Sequence, residues 1–574
     1  MSPGRLGYAL RDAWAEGYGL PQLRADLLAG AVVGVVALPL GMALAIASGV
    51  PPQHGLYTIL VAAPVIAVLG GSRVQVSGPT AAFVVVLVPI AARFGLGGLL
   101  LATFLAGWLL LAMGAAGMGQ LIEFVPYPVT TGFTAGIAVV IGTLQVKDFL
   151  GLQPGPLPEH YLERLQALLL ALPTARAPDL AIGALTLGLL LAWPRFSRRL
   201  PAPLVALALA AAAAALIGVL EPGFRVDTIQ SRFSYVSGGV RLAGIPRQWP
   251  AAGWPWSFPG PGGEPLALSF RLVRDLVPAA FAIAMLGAIE SLLSAVVADG
   301  MTGRKHDPDA ELMAQGAGNV LAPLFGGIAA TGAIARTATN VRSGAVSPVA
   351  AVAHAALVLL AVLLLAPLLG YLPMASLAAL LLVVAWNMSE SKHFVHLVRV
   401  APRSDVLVLL TCFGLTVLFD MVVAVTTGIV LAALLFMRRM SEVSGVTLVG
   451  SGHPDLEEPL PRGVLLYDIA GPLFFGAAQK AMSALRSVEE RDVRVVVLDM
   501  EHVPAMDATG IVALESLVKR LNEARVKVIL VGIQSQPLRA LARAGWRNRK
   551  GRLRIFRSFE RGIQVARRSA RYPE

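Results

Sequence analysis

The chain has 574 residues, 56% of them hydrophobic and 14% charged, with a mean hydropathy of +0.70; soluble domains do not reach that balance, so most of the chain belongs in a bilayer. The net charge of +12 comes from 47 Lys and Arg against 35 Asp and Glu, and basic pairs such as Arg438–Arg439 sit between apolar runs, as in loops on the positive side of a membrane and unlike a nucleic-acid-binding face. The single cysteine, Cys412, lies inside an apolar run and excludes an intrachain disulfide or a cysteine-built metal site.

Residues 1–25 are polar and basic, with Arg5, Arg11 and Arg24 and no signal-peptide cleavage pattern after them, and are expected to be a cytoplasmic N-terminus. Residues 26–437 read as a transmembrane transport domain of fourteen segments. The first seven are 27–47, 54–70, 78–92, 97–117, 128–146, 179–194 and 202–219. A Pro/Gly/Trp-rich external loop, Glu221–Ser269, precedes the second seven: 276–298, 310–325, 333–345, 347–369, 372–387, 404–420 and 422–437. An even count returns both ends to one side, and the arginines at both ends make that side cytoplasmic. Arg195–Arg199, Arg304–Lys305 and Lys392–Arg403 then fall in inner loops, with His306 solvated; Glu123, Lys147–Asp148 and Asp420 are expected at wet helix ends. The histidines show no metal-ligand spacing.

Seven segments per half invite an inverted repeat. Asp26 opens one half and Asp275 the other; fifteen residues on stand Gly41 and Glu290, and some fifty residues on stand two broken segments, Ser77-Gly78-Pro79-Thr80 and Thr331-Gly332-Ala333. Each precedes a short helix, whose first N–H groups are unpaired and partially positive. Two such starts facing each other at mid-membrane make an anion site without a lysine. Gly78 allows close backbone approach, Pro79 suits an early helical position, Thr80 offers a hydroxyl and Phe83 an apolar wall. Glu290, the only acid in 276–298, is expected to couple transport to an ion, and Arg336 is expected to attract the anion. A fixed Glu290–Arg336 salt bridge is the alternative reading. No nucleophile–base constellation or phosphate loop points to an enzyme, and no cofactor is implied.

After Met437 the composition changes. Residues 438–461 read as a linker and 462–574 as a small α/β domain, with strands at 464–469, 493–498 and 526–531 and an amphipathic helix at 510–524.

Leu38-Pro39-Leu40-Gly41-Met42-Ala43-Leu44-Ala45, with Gly49-Val50-Pro51-Pro52-Gln53-His54-Gly55-Leu56-Tyr57, resembles the first-helix signature of the SulP family of sulfate-permease-like transporters. Ser77-Gly78-Pro79-Thr80-Ala81 is similar to the start of that family's third helix, and Met506-Asp507-Ala508-Thr509-Gly510 to the central turn of a STAS domain. Within the family, 286–293, 299–303, Lys305-His306, Ala335-Arg336, 340–342 and 385–390 resemble the DauA type of bacterial C4-dicarboxylate transporter. The resemblance implies a core domain of helices one to four and eight to eleven, a gate domain of the rest, elevator-like movement, a homodimer and a bacterial inner membrane with both termini cytoplasmic. It implies proton-coupled uptake of succinate-, fumarate- or aspartate-like anions. Sodium-coupled bicarbonate transport, proton-coupled sulfate transport and an uncoupled exchanger or channel stay open beside it. It also makes Thr509 a candidate phosphoacceptor, against an ordinary helix cap, and the turn around it a docking point for a cytosolic protein.

Overall fold

The computed structural model describes residues 6–571 apart from 123–124, 156, 159, 198–199, 238–239, 420, 444, 450–455, 457 and 475–492. They form two compact units, one ending at Ile429 and one beginning at Val430.

The first unit is helical. Its first half comprises α1 (Tyr8–Ala15), α2 (Leu20–Ala47), α3 (Gln53–Leu69), the two-residue strand β1 (Ser77–Gly78), α4 (Ala81–Ala115), α5 (Tyr127–Leu150), α6 (Tyr161–Leu170), α7 (Ala177–Phe196) and α8 (Ala202–Leu220). A hairpin of β2 (Ser234–Ser237) and β3 (Val240–Ala243) follows. The second half comprises α9 (Phe270–Thr302), α10 (Pro308–Leu324), β4 (Thr331–Gly332), α11 (Ile334–Arg342), α12 (Val349–Leu369), α13 (Met374–Ser389), α14 (Ser391–Val400), α15 (Arg403–Leu418) and α16 (Met421–Val443), which runs on into the second unit. All fourteen expected segments fall on these helices. Segments 78–92 and 97–117 are the two arms of α4, which breaks at Gly95 (φ 67°, ψ −171°). Nine helical stretches among the described residues are long and apolar enough to cross a membrane. Outward leucines and valines such as Leu216, Val219, Leu364 and Leu368 are 60–80% exposed, as a lipid-facing surface requires. The inner loop expected at Lys392–Arg403 is instead mostly helix, α14.

Small residues bring these helices together, because lipid supplies no hydrophobic drive between them and close backbone contact must do so. A Cβ on Gly107 of α4 would lie 2.6 Å from the Val320 nitrogen of α10, and one on Gly316 of α10 would lie 2.6 Å from the Leu111 nitrogen of α4. Gly30 and Gly34 play the same part between α2 and α12, and Gly132 and Gly136 between α5 and α15.

The second unit carries a five-stranded sheet in the order β5 (Gly445–Val449), β6 (Val464–Ala470), β7 (Val495–Asp499), β8 (Lys527–Val531), β9 (Leu553–Ile555). β6 to β9 run parallel and β5 is antiparallel at the edge. α17 (Ala508–Glu523) and α18 (Ser535–Arg543) pack on one face and α19 (Phe559–Arg571) on the other, each face closing its own apolar core. β5 falls within the stretch expected to be linker.

Candidate functional site

β1 and β4 pair antiparallel, Ser77 opposite Gly332 and Gly78 opposite Thr331. Each strand is the last extended piece before a helix, so the pairing sets the starts of α4 and α11 side by side and pointing in opposite senses. The cross-links continue one step on, where the Ala333 N–H donates to the Val76 carbonyl at 2.9 Å and the Val76 N–H to the side-chain Oγ1 of Thr337 at 3.0 Å. Neither helix start is capped by a side chain. Ala333 has none to offer, and Thr80, at the N-cap of α4, donates its hydroxyl to Glu290 Oε2 at 2.7 Å. The first N–H groups of both helices thus keep their partial positive charge without an internal side-chain acceptor.

Arg336, buried on α11, spans the two arms. Its Nη2 donates to the Pro79 carbonyl, and its Nη1 has no partner among the described residues. Gly78 makes this possible: with φ 156°, a Cβ there would stand 2.6 Å from Nη1. Glu290 comes from α9 and is 9% exposed. The alternative of a fixed Glu290–Arg336 salt bridge is not what the side chains do. Glu290 bonds Thr80 and Arg336 bonds Pro79, so two groups from the second half both fasten to the arm of the first. Phe83 is buried with its ring tip against Gly287, one turn before Glu290 on α9. Pro79 lies two residues ahead of the helix start at Ala81, outside the first turn expected for it.

The second arm is fixed from α9. Thr331 Oγ1 donates to the Gly287 carbonyl at 3.0 Å, the Ser291 hydroxyl donates to Thr331 Oγ1 at 2.7 Å, and the Gly332 N–H donates to Ser291 Oγ at 3.0 Å. Gly332 has no room for a side chain, since a Cβ would run into the Gln75 amide.

Sequence reasoning missed the support behind both arms. Glu311, Gln315 and Asn319 recur every fourth residue on α10 and are all buried. Glu311 accepts from the Gly71 and Ser72 N–H groups at 3.1 and 3.3 Å and from the Gln75 and Gln315 amides at 2.8 and 3.0 Å. Gln315 also donates to Ser77 Oγ at 3.0 Å. Asn319 clamps Ala330, accepting its N–H and donating to its carbonyl, each at 2.8 Å. One helix face thereby holds the approach to β1 and the approach to β4. Polar residues at i, i+4 and i+8 inside a glycine-rich helix were the available signal.

Other expectations fare differently. His306 is not solvated: its side chain is 5% exposed and Nδ1 lies 2.8 Å from Asp299 Oδ2. Asp148 pairs with Arg232 at 2.5 Å, while Glu123 and Asp420 lie outside the described residues. In the sheet-bearing unit Asp507, not Thr509, caps α17, accepting the Gly510 N–H at 2.7 Å; Thr509 is exposed beside it.

Paired helix starts at the ends of two antiparallel arms, with a sheet domain after the last span, can be set against known families. The sulfate permease family matches residues 23–412, and the STAS domain matches residues 456–560. The chain belongs to the sulfate permease family. Its relatives include YvdB of Bacillus subtilis, provisionally named a sulfate transporter, 41% identical over 94% of this chain and 97% of that one. The bicarbonate transporter BicA of Picosynechococcus is 29% identical over 90% of each chain. In fold, the chain is similar to the murine anion transporter Slc26a9 in its inward-facing state, with a TM-score of 0.83, 19% identity, and 98% of this chain and 94% of that one covered. This sulfate permease family member is therefore a polytopic anion transporter with a C-terminal STAS domain.

Proposed function

We propose that the chain is a secondary active transporter that binds a small oxyanion between the starts of α4 and α11 and couples its uptake to a proton carried by Glu290. The observation that carries this reading is the antiparallel β1–β4 pair, which sets two uncapped helix starts together with the Arg336 guanidinium reaching from one arm to the other. Main-chain N–H groups and a guanidinium suit a compact anion. Ser77, Gly78, Pro79, Thr80, Thr331, Gly332 and Ala333 shape the seat, and Phe83 closes it on the apolar side. A bound anion and an ionised Glu290 repel one another, so anion and proton load together. Thr80, which already meets Glu290, is the contact through which occupancy and protonation feel each other.

The names of the relatives favour sulfate or bicarbonate as the cargo. The DauA-like stretches through 286–306 and 385–390 support a second reading, a C4-dicarboxylate. In both, core and gate move elevator-fashion within a homodimer in the bacterial inner membrane. Both termini lie in the cytoplasm, with the membrane part at 26–437 and the STAS part at 462–574. Thr509 is exposed at a helix start, as a phosphoacceptor or docking residue must be.

Reconstituted protein tested with labelled sulfate, bicarbonate and succinate, under an inward proton gradient and separately a sodium gradient, decides among these. Sulfate or bicarbonate uptake driven by the proton gradient is expected. Uptake that follows sodium alone overturns the proton role, and succinate uptake exceeding both inorganic anions establishes the second reading.

A further inference from the structure

Charge in the second unit is divided unevenly along the chain. Residues 430–538 hold 11 Lys and Arg against 13 Asp and Glu, whereas residues 539–571 hold 12 against one, Glu560. The fold gathers this stretch around the free edge of the sheet, where β9 is the last strand and α19 packs across β7 and β8. Between β9 and α19 opens a cleft of about 500 Å³ lined by Lys527, Arg552, Arg554 and Arg568, with no carboxylate in its wall. Arg552, Arg554 and Arg568 are exposed and make no ion pair with an acid among the described residues. So many like charges on one edge repel each other, and sheet packing does not ask for them. Arginine forks match phosphate oxygens, so the cleft fits a phosphate-bearing anion.

We infer that this basic edge docks on the anionic phospholipid headgroups of the bilayer in which the transporter sits. Chain connectivity supplies the occupant. α16 runs to Val443 and β5 begins at Gly445, so the unit stays tethered at the membrane surface, where headgroup phosphates are at high effective concentration. A polybasic surface beside an anionic leaflet is attracted over about a Debye length, some 8 Å at physiological salt, so salt should weaken the contact.

The test uses the full chain in nanodiscs of phosphatidylcholine alone or mixed with phosphatidylglycerol. Gln564→Cys on α19, exposed beside the basic edge, takes a fluorophore, while the native Cys412 is buried. A headgroup-nitroxide lipid reports proximity by quenching. Quenching about twofold stronger in the anionic discs is expected, falling to the neutral-lipid level at high salt and in the Arg552→Glu/Arg554→Glu/Arg568→Glu variant. Should charge reversal disturb folding, seen by size-exclusion chromatography, the corresponding triple Gln variant gives the same reading. Equal quenching in both lipids, as an edge reserved for an acidic protein or a nucleic acid would give, overturns the inference. Undiminished quenching in the triple variant does so too.

Discussion

The two arms share a backbone shape and divide the chemistry between them. The first half contributes Ser77, Gly78, Pro79 and Thr80, with no charge; the second contributes Glu290 and Arg336 along with Thr331 and Gly332. At the place in the first half that corresponds to Glu290 stands Gly41, whose task is packing: a Cβ there would stand 2.8 Å from Ile59 Cδ1 of α3. The opening aspartates diverge as well. Asp26 is buried and accepts from Tyr18, Val346 and Ser347, while Asp275 sits near the surface beside Arg271 and Arg274. A repeat of this kind keeps geometry and lets each copy specialise, one in main-chain shape and the other in groups that carry charge.

Removing the charged side of this division should have the largest effect. Arg336→Ala is expected to lower anion affinity roughly ten- to a hundredfold, the worth of a charge-assisted hydrogen bond, in protein that still elutes as a folded species. Unchanged affinity in an equilibrium titration would show that the first arm suffices. Glu290→Gln keeps a side-chain oxygen that can accept from Thr80 but can no longer ionise. Uptake driven by a proton gradient should be lost while exchange of internal for external anion persists at a reduced rate; gradient-driven uptake equal to the parent's would remove Glu290 from coupling.

Smaller changes weigh the two arms against each other. Asn319→Ala strips the clamp from Ala330, ahead of the second arm, and Gln315→Ala frees Ser77 in the first. Each is expected to cost about 2 kcal/mol of stability and a few degrees of melting temperature, with affinity falling several-fold more for Asn319→Ala if the charged arm dominates. Equal losses would mean the arms act as one body.

The smallest effect concerns Glu16, which pairs with Arg73 of the first half at 2.7 Å and Arg304 of the second at 2.6 Å. Hydrogen bonds first from Arg73 and then from Arg304 hold its carboxyl down at about 2, from an ordinary 4.5. A depressed carboxyl stabilises the fold fully above its unfolded value and loses that contribution as pH falls toward 2. The parent should therefore shed about a degree of melting temperature between pH 5 and 3 that Glu16→Gln does not, a modest figure because Glu16 and Arg304 are each half exposed even though Arg73 is buried. Parallel pH profiles would show that the ion pair does not join the halves.

Apolar run length and the Gly/Pro breaks made the membrane architecture and both arms legible, since hydrocarbon admits few solutions for a backbone. Glu290 stood out because an acid in an apolar run needs a reason. What escaped was partnership. Nothing local says that Thr80 turns to Glu290, or that Arg336 reaches back to Pro79, because those contacts join residues more than two hundred positions apart. Glu311, Gln315 and Asn319 were hidden for a different reason: polar side chains four apart mark one face of a helix without saying which loops that face grips. The charges of α14 suggest a loop, although Phe394, Val395, Leu397 and Val398 alternate with them at helical spacing.

The uncapped starts of α4 and α11 also bear on how such a carrier diversifies. Recognition that rests on main-chain N–H groups cannot be erased or rewritten by exchanging one side chain, since nearly every residue brings the same amide. In the seat proposed above, heritable variation can act only at the margins: on what tilts the arms, on Phe83, and on Arg336. A lineage could thus pass from one oxyanion to another through small adjustments of spacing, without an intermediate that binds nothing.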